Sequence, residues 1–238
     1  FKEESMIAEF KRAFKATPAT SALVAFMVVV YLWEALIAQS FTISSRVLYE
    51  TGAQFGPIVL HYGEWWRLLT AGFLHVTASH LIFNMITLYF IGRLLELEIG
   101  PWRFLILFLT TVISGNLMSL AFGAMNVISA GASGGVFGLF GAIVRLGLMD
   151  KRRAYWRSQV KLVTAFVLLS VISALFTPGI DLAAHIGGLI GGFLIVPVFI
   201  SGFHYSGLFK IGGGRRALAL LMYVVLIAAL VGIALLRK

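Results

Sequence analysis

The residues best suited to chemistry in this sequence surround Ser133, in the stretch Gly131-Ala132-Ser133-Gly134-Gly135. Only glycine and alanine lie beside this serine, so its hydroxyl oxygen can be approached from most directions. The serine also opens an apolar run, and the start of a helix leaves backbone N–H groups unpaired, with a dipole that favours negative charge. A reachable hydroxyl beside spare N–H donors suits acyl transfer, which needs a nucleophile and an oxyanion site. The simpler interpretation is that small residues here let two membrane helices pack closely.

Three further polar residues lie inside apolar runs, where ionisable and polar groups are costly and are functional candidates. His80 and Asn84 are four residues apart and therefore share one helix face. His185 lies in the first turn of a later apolar run. We expect all three side chains to meet Ser133 in one layer, His185 as general base and the other two as hydrogen-bond donors. The alternative is a set of unrelated hydrogen bonds between helices.

The composition indicates that membrane helices position these residues. The chain is 60% hydrophobic and 12% charged, with a mean hydropathy of +0.95, whereas soluble domains average about 25% charged residues. We predict an all-α polytopic membrane protein. Its seven apolar spans lie near residues 20–38, 77–94, 102–122, 133–149, 160–176, 182–200 and 217–236.

The segments outside the spans also carry signals. Phe10 and Phe14 suggest a short interfacial helix within the polar segment 1–19. The first span is too long for a signal peptide and lacks an A-x-A exit, so we expect a retained anchor. The connection 39–78 contains a Trp65-Trp66-Arg67 cluster, which is typical of a membrane–water interface. We predict an ordered, partly membrane-dipped loop with short helices, because a structureless loop of this length is unusual.

The net charge is +9, and the positions of the Lys and Arg residues fit a membrane topology. With the amino terminus in the cytoplasm, 15 of the 19 Lys and Arg residues fall on the inner side and 4 on the outer side. The loop 39–78 and the turns before Ser133 and His185 then share the outer side. This distribution disfavours a nucleic-acid partner. The absence of cysteine excludes disulfides and thiolate chemistry, and no H-E-x-x-H zinc pattern is present, so we expect no metal and no cofactor.

Glycines supply the geometry that the site requires. Those on the fourth span and those on the sixth form small-xxx-small faces, at residues 134, 138 and 141 and at residues 188 and 192. Contact between these faces would bring His185 within proton-transfer distance of Ser133, about 2.6–3.2 Å. We predict that Gly188 lies against the fourth span, and we expect Ile195 of the sixth span to face lipid.

Over roughly residues 60–192 the sequence resembles the rhomboid family of intramembrane serine proteases. The matching motifs, in order, are Trp66-Arg67, His75, His80-x-x-x-Asn84, Glu96 to Gly100, Gly131-Ala132-Ser133-Gly134 and Ala184-His185 followed by glycines. The resemblance implies a Ser133–His185 dyad and an oxyanion hole made by the Ser133 backbone N–H with His80 and Asn84. Gly131, Phe137, Gly188, Trp66 and Arg67 would support the site. It also implies a rhomboid-like six-helix catalytic core, residues 20–201, followed by a linker and an extra seventh helix, residues 202–238.

Two positions depart from the pattern of some family members. Ala71 stands where those members carry another histidine, and Phe137 replaces a tyrosine on which the catalytic histidine often stacks. Neither change removes a dyad residue, so we expect activity to survive. Asp181 could extend the dyad to a triad, but the better prediction is a cap for the sixth span. We expect His61, His75 and His204 to be loop residues.

The resulting expectation is a serine endopeptidase that cleaves single-span transmembrane proteins near the outer face of a lipid bilayer, most simply a bacterial cell membrane. Two rival functions remain at this point. A catalytically dead rhomboid-like binder would hold membrane clients, although the presence of Ser133 and His185 argues against it. A transporter would show internal repeats and paired broken helices, and the sequence shows neither.

Overall fold

The fold is a bundle of long apolar helices, and the computed structural model describes residues 15–149, 154–177, 179–200 and 211–238. Within these ranges six helices are long and apolar enough to cross a membrane, and a further apolar helix begins at Ser133. The predicted all-α polytopic architecture is therefore confirmed. In chain order the seven long apolar helices of the described residues are α1 Pro18–Ala38, α2 Ala78–Ile99, α3 Pro101–Phe122, α4 Ser133–Met149, α5 Ala154–Phe176, α6 Leu182–Phe199 and α7 Gly213–Leu235.

The end of α2 differs from the sequence prediction, which stopped this helix near Leu94. The helix passes through a π-helical segment, Leu88–Gly92, and continues to Ile99. Glu96 lies beyond the predicted end of the span, but its buried carboxylate accepts hydrogen bonds from the Ala19 N–H and from the N–H and hydroxyl of Thr20. The unpaired N–H groups at the start of α1 stabilise a carboxylate there, so this charged side chain has partners inside the bundle.

Two other helices begin earlier than their apolar runs. α5 begins at Ala154 and α7 at Gly213, before the predicted starts at 160 and 217. Hydropathy detects the apolar part of a helix, whereas the helical backbone continues into the polar first turn. The interfacial helix expected around Phe10 and Phe14, together with His204, lies outside the described residues.

The connection 39–78 is ordered, as predicted, and contains short helices at Ser45–Thr51, Gly56–His61 and Arg67–Thr70 and a 3₁₀ turn at Ala71–Phe73. Its location at the outer membrane face stays a prediction. The sequence did not predict its strand β1, Gln54–Phe55, which pairs antiparallel with β2, Ile128–Ser129. Arg67 organises this loop, since its buried guanidinium donates to the carbonyls of Tyr49 and Ala53 and to Glu64. Trp66 covers the guanidinium with its ring centroid 4.6 Å from Cζ.

The glycine faces of α4 and α6 meet as predicted. A Cβ atom added to Gly188 would lie 1.9 Å from the Gly134 carbonyl oxygen, and one added to Gly192 would lie 1.8 Å from that of Gly138. Only glycine permits this approach. The expectation for Ile195 was wrong, because this side chain is 3% exposed. It follows Gly192 by three residues and therefore lies on the same packed face.

The seventh helix packs against the bundle. The Tyr223 hydroxyl donates to the Thr110 carbonyl at 2.7 Å, and Arg237 donates to the carbonyls of Leu120 and Gly123 at the end of α3. These contacts place the carboxyl ends of α3 and α7 on the same side of the protein. The division into a core at 20–201 and a separate segment at 202–238 stays a prediction.

Candidate active site

Ser133 and His185 are in hydrogen-bond contact. The Nε2 atom of His185 lies 2.9 Å from Oγ of Ser133. Ser133 is the first residue of α4 and His185 lies in the first turn of α6, so both start a helix at the same end of the bundle. The glycine contact between these two helices makes this short distance possible, because it brings their backbones together one turn away from the pair.

The imidazole plane of His185 is fixed by Phe137, one turn after Ser133 on α4. The two rings stack with centroids 4.1 Å apart and an angle of 7° between their planes. Phe137 itself is 7% exposed and also contacts the Phe140 ring edge. The ring face needed for this stacking is therefore present without the tyrosine hydroxyl.

The second ring nitrogen of His185 faces a residue that sequence reasoning missed. Nδ1 lies 3.3 Å from Oγ of Ser170, which comes from α5. One sequence signal was available, since Ser170 and Ser173 form a polar pair at i, i+3 in an otherwise apolar stretch. Hydropathy alone does not reveal which way that pair faces.

Asp181 caps α6, as predicted. Its Oδ1 accepts from the Ala184 backbone N–H at 2.9 Å, while Oδ2 accepts from the hydroxyls of Ser119 at 2.5 Å and Ser129 at 2.8 Å. The carboxylate therefore joins α3, β2 and the start of α6. With its oxygen atoms on these donors, Asp181 does not occupy the position of a third triad member on His185.

His80 and Asn84 lie across the cavity from α6, on α2. The N-cap residue Thr77 accepts from the His80 backbone N–H at 3.2 Å and so fixes the first turn of the helix. The His80 ring contacts Gly131, whose φ of +145° and lack of a side chain are both required, since a Cβ would lie 2.6 Å from Cε1. The Nδ2 atom of Asn84 is buried without a hydrogen-bond partner among the described residues.

A cavity of about 1240 Å³ connects these groups. Its wall includes all four polar residues singled out from the sequence, as well as Gly131, Phe137, Ser170 and Asp181. Phe83 of α2 and Phe166 of α5, both exposed, also line the cavity. Of the supporting residues predicted from the sequence, Gly131 and Phe137 line this cavity. Gly188 packs against Gly134, and Trp66 and Arg67 lie in the connection 39–78, away from the cavity.

The other histidines lie away from the reacting pair. His75, in the connection 39–78, is fully buried with its ring centroid 5.2 Å from that of His80. Burial, with the neighbouring His80 as a lesser cause, lowers the pKa of His75 to about 3, so this side chain is neutral at physiological pH. His61 ends a short helix rather than lying in a loop. The expectation of a site without metal stays a prediction.

Fold and site together define a polytopic helical membrane protein with a serine hydroxyl and an imidazole in contact at a cavity wall. Residues 62–202 match the rhomboid domain family. The chain is 35% identical over 190 residues to rhomboid protease GluP of Bacillus subtilis, covering 79% of this chain and 35% of GluP. It is 29% identical over 186 residues to YdcA of the same organism, provisionally named a rhomboid protease, covering 78% and 90% respectively.

A plant protein is also similar to this chain in sequence. RHOMBOID-like protein 1 of Arabidopsis thaliana is 37% identical over 158 residues, covering 66% of this chain and 40% of that protein. The chain thus spans 35% to 40% of the length of two of these relatives and most of YdcA. It belongs to the rhomboid family.

Proposed function

We propose that this chain is an intramembrane serine endopeptidase that acts through a Ser133–His185 dyad. The observation that carries the proposal is the 2.9 Å contact between Ser133 Oγ and His185 Nε2 at a cavity enclosed by apolar helices. This distance lies within the range that proton transfer to a general base requires. The relatives GluP and YdcA are named as rhomboid proteases, YdcA provisionally, and this supports the same reaction class.

In the proposed reaction His185 Nε2 takes the proton of Ser133 as Oγ bonds to the carbonyl carbon of a substrate peptide bond. The carbonyl electron pair moves onto oxygen and forms a tetrahedral oxyanion. Collapse of this intermediate breaks the C–N bond, and His185 gives its proton to the leaving amine. Water then hydrolyses the acyl-enzyme with the same histidine as base.

The oxyanion would be held by donors on two helices. The Ser133 backbone N–H lies at the amino terminus of α4, where the helix dipole favours negative charge. Asn84 contributes a buried amide that has no partner among the described residues, and His80 contributes a ring nitrogen at the same cavity. Donors that are in place before the reaction stabilise the developing charge without reorganisation.

The residues that line the cavity support a transmembrane segment as the substrate and entry from the bilayer as its path. Phe83 of α2 and Phe166 of α5 are exposed apolar side chains that also line the cavity. A single transmembrane segment could reach Ser133 between these two helices directly from the bilayer. Helical peptide bonds are shielded, so the segment must unwind locally. Helix-weakening residues and a small residue before the cleaved bond are therefore the preferred sequence.

The proposed orientation has the amino terminus in the cytoplasm, which follows from the Lys and Arg distribution. The first residues of α2, α4 and α6 then lie toward the outer face, and so does the cavity that they surround. Cleavage would take place near that face. We place the protein in a cell membrane, with the bilayer and transmembrane proteins as its partners and no nucleic acid.

Replacement of the two reacting residues tests this proposal. Ser133→Ala and His185→Ala should each abolish cleavage of a single-span substrate and labelling by a fluorophosphonate, because either change removes the nucleophile or its base. The protein should still insert and purify. Ser158→Ala and His61→Ala are matched controls, since both side chains are exposed and lie away from the cavity. Substantial cleavage by purified Ser133→Ala would overturn the mechanism, and client binding without cleavage by the unaltered protein would support a non-catalytic rhomboid-like binder.

A further inference from the structure

The orientation of the catalytic base depends on more than its contact with Ser133. A neutral imidazole has one N–H and one lone pair on its two ring nitrogens. For Nε2 to accept the serine proton, the ring proton must reside on Nδ1. Which nitrogen carries the proton is set by the hydrogen bond that the other nitrogen makes. The partner of Nδ1 therefore determines whether the proposed base is in its reactive form.

Stacking on Phe137 does not settle this point. The nearly parallel rings, 4.1 Å apart, restrain the tilt of the imidazole. A half-turn of the ring about its bond to Cβ, however, leaves the ring plane unchanged and moves Nε2 away from the serine. A directional contact at the edge of the ring is needed to oppose this rotation and to select the tautomer.

The carboxylate that lies closest to His185 in the sequence accepts hydrogen bonds from other residues. Asp181 lies four residues before His185, but its two oxygens accept from the Ala184 N–H and from the hydroxyls of Ser119 and Ser129. The structure instead places Ser170 Oγ at 3.3 Å from Nδ1. Ser170 is half-buried and lines the same cavity, so its hydroxyl can accept a hydrogen bond at the edge of the ring.

We infer that Ser170 is a positioning residue that accepts a hydrogen bond from His185 Nδ1–H and thereby holds the base in its reactive tautomer and rotamer. The inference rests on the proposed function. It also links the base to α5, a helix that presents most of its side chains to the surroundings and packs chiefly against α4 within the described residues. A neutral hydroxyl thus takes the place that an aspartate holds in a Ser-His-Asp triad.

A pair of variants with the same shape isolates the hydroxyl. Ser170→Thr keeps the oxygen, whereas Ser170→Val replaces it with a methyl group of similar size. Labelling of the purified full chain by a small fluorophosphonate gives two quantities, the maximal labelling rate and the probe concentration at half that rate. Thr164→Val is the control, because it removes a hydroxyl from an exposed position of the same helix.

Loss of one hydrogen bond to the base should lower the maximal rate of Ser170→Val about three- to tenfold relative to Ser170→Thr. The half-saturating probe concentration should stay the same, since a merely structural or cavity-lining role would change that concentration or the melting temperature instead. Ser170→Thr should retain most of the unaltered rate, and Thr164→Val should match the unaltered protein.

Equal maximal rates for Ser170→Thr and Ser170→Val would overturn the inference, as would an equal loss in Thr164→Val. If Ser170→Val does not fold, Ser170→Ala repeats the comparison, because it removes the hydroxyl without added bulk. Failure of the proposed function is a different result. In that case the unaltered chain would not be labelled at all, or Ser133→Ala would be labelled as fast as the unaltered chain.

Discussion

Asn84 lines the cavity, and its Nδ2 atom is buried without a hydrogen-bond partner among the described residues. Leaving a buried donor unsatisfied costs about 1–3 kcal/mol. Such a cost is expected where a group has a second role, since a donor aimed into a cavity can be satisfied by a reaction intermediate. The proposed oxyanion is such an acceptor.

Removal of this donor should slow the chemical step. Loss of one oxyanion donor typically costs about 10²–10³ in rate, and the other two proposed donors reduce the loss in Asn84→Ala toward the lower end. Asn84→Asp keeps the shape and adds negative charge beside the oxyanion, so it should be slower still. Cleavage rates of purified protein measure both effects.

Asn126→Ala is the control for these variants, because Asn126 is exposed in the connection before α4. Its rate should equal that of the unaltered protein. Unchanged rates for Asn84→Ala combined with His80→Ala would show that these side chains do not serve the oxyanion.

At the scale of elements, the contact between α4 and α6 sets the geometry of the proposed dyad. The two helices meet through glycine backbones, with Gly188 against Gly134 and Gly192 against Gly138. Because these glycines have no side chains, the contact cannot accommodate an added side chain by a change of rotamer. Asp181 fixes the start of α6 from the other side, since its carboxylate also holds Ser119 of α3 and Ser129 of β2.

Gly188→Leu should therefore affect both stability and reactivity. Overpacking of this kind typically costs about 1–3 kcal/mol, and a displacement of about 1 Å can cost about 10²-fold in rate. We expect a protein that inserts and purifies, melts at a lower temperature and reacts slowly with fluorophosphonate. Ile186→Leu is the matched control, because Ile186 lies on the same helix and is 45% exposed. Normal melting together with normal labelling would mean that the glycine contact does not position the dyad.

At the scale of the whole molecule, orientation in the membrane determines where the proposed cleavage would take place. Tyr62, in the connection 39–78, is 77% exposed, and Tyr155, near the start of α5, is 51% exposed. The Lys and Arg distribution assigns these residues to opposite sides of the membrane. The chain contains no cysteine, so a single introduced cysteine would be its sole thiol.

A membrane-impermeant maleimide applied to intact cells should label Tyr62→Cys, because the proposed orientation exposes this loop outside. Tyr155→Cys should be labelled only after the cells are permeabilised. The unaltered chain, which has no thiol, gives the background signal. Labelling of the two variants in the reverse order would place the amino terminus and the cavity on the sides opposite to those proposed.

Local properties of the sequence predicted the number and approximate bounds of the spans, the start of α4 at Ser133 and the role of Asp181 as a cap. These features depend on hydropathy and on residues within one helical turn, so they can be inferred without knowledge of distant partners. The glycine faces of α4 and α6 also followed from spacing within each helix. The positions of Ser133 and His185 near the starts of their spans predicted that they meet, and the resemblance implied the same dyad.

Tertiary structure decided which distant residues meet. The Glu96 carboxylate accepts hydrogen bonds from Thr20, 76 residues earlier, and β1 pairs with β2 although three short helical segments and the long helices α2 and α3 lie between them in the sequence. Ile195 and Ser170 show the same limit, since the direction in which a membrane helix presents each side chain depends on its rotation against its neighbours. In spans that are apolar on nearly every side, hydropathy does not encode that rotation, and packing alone sets it.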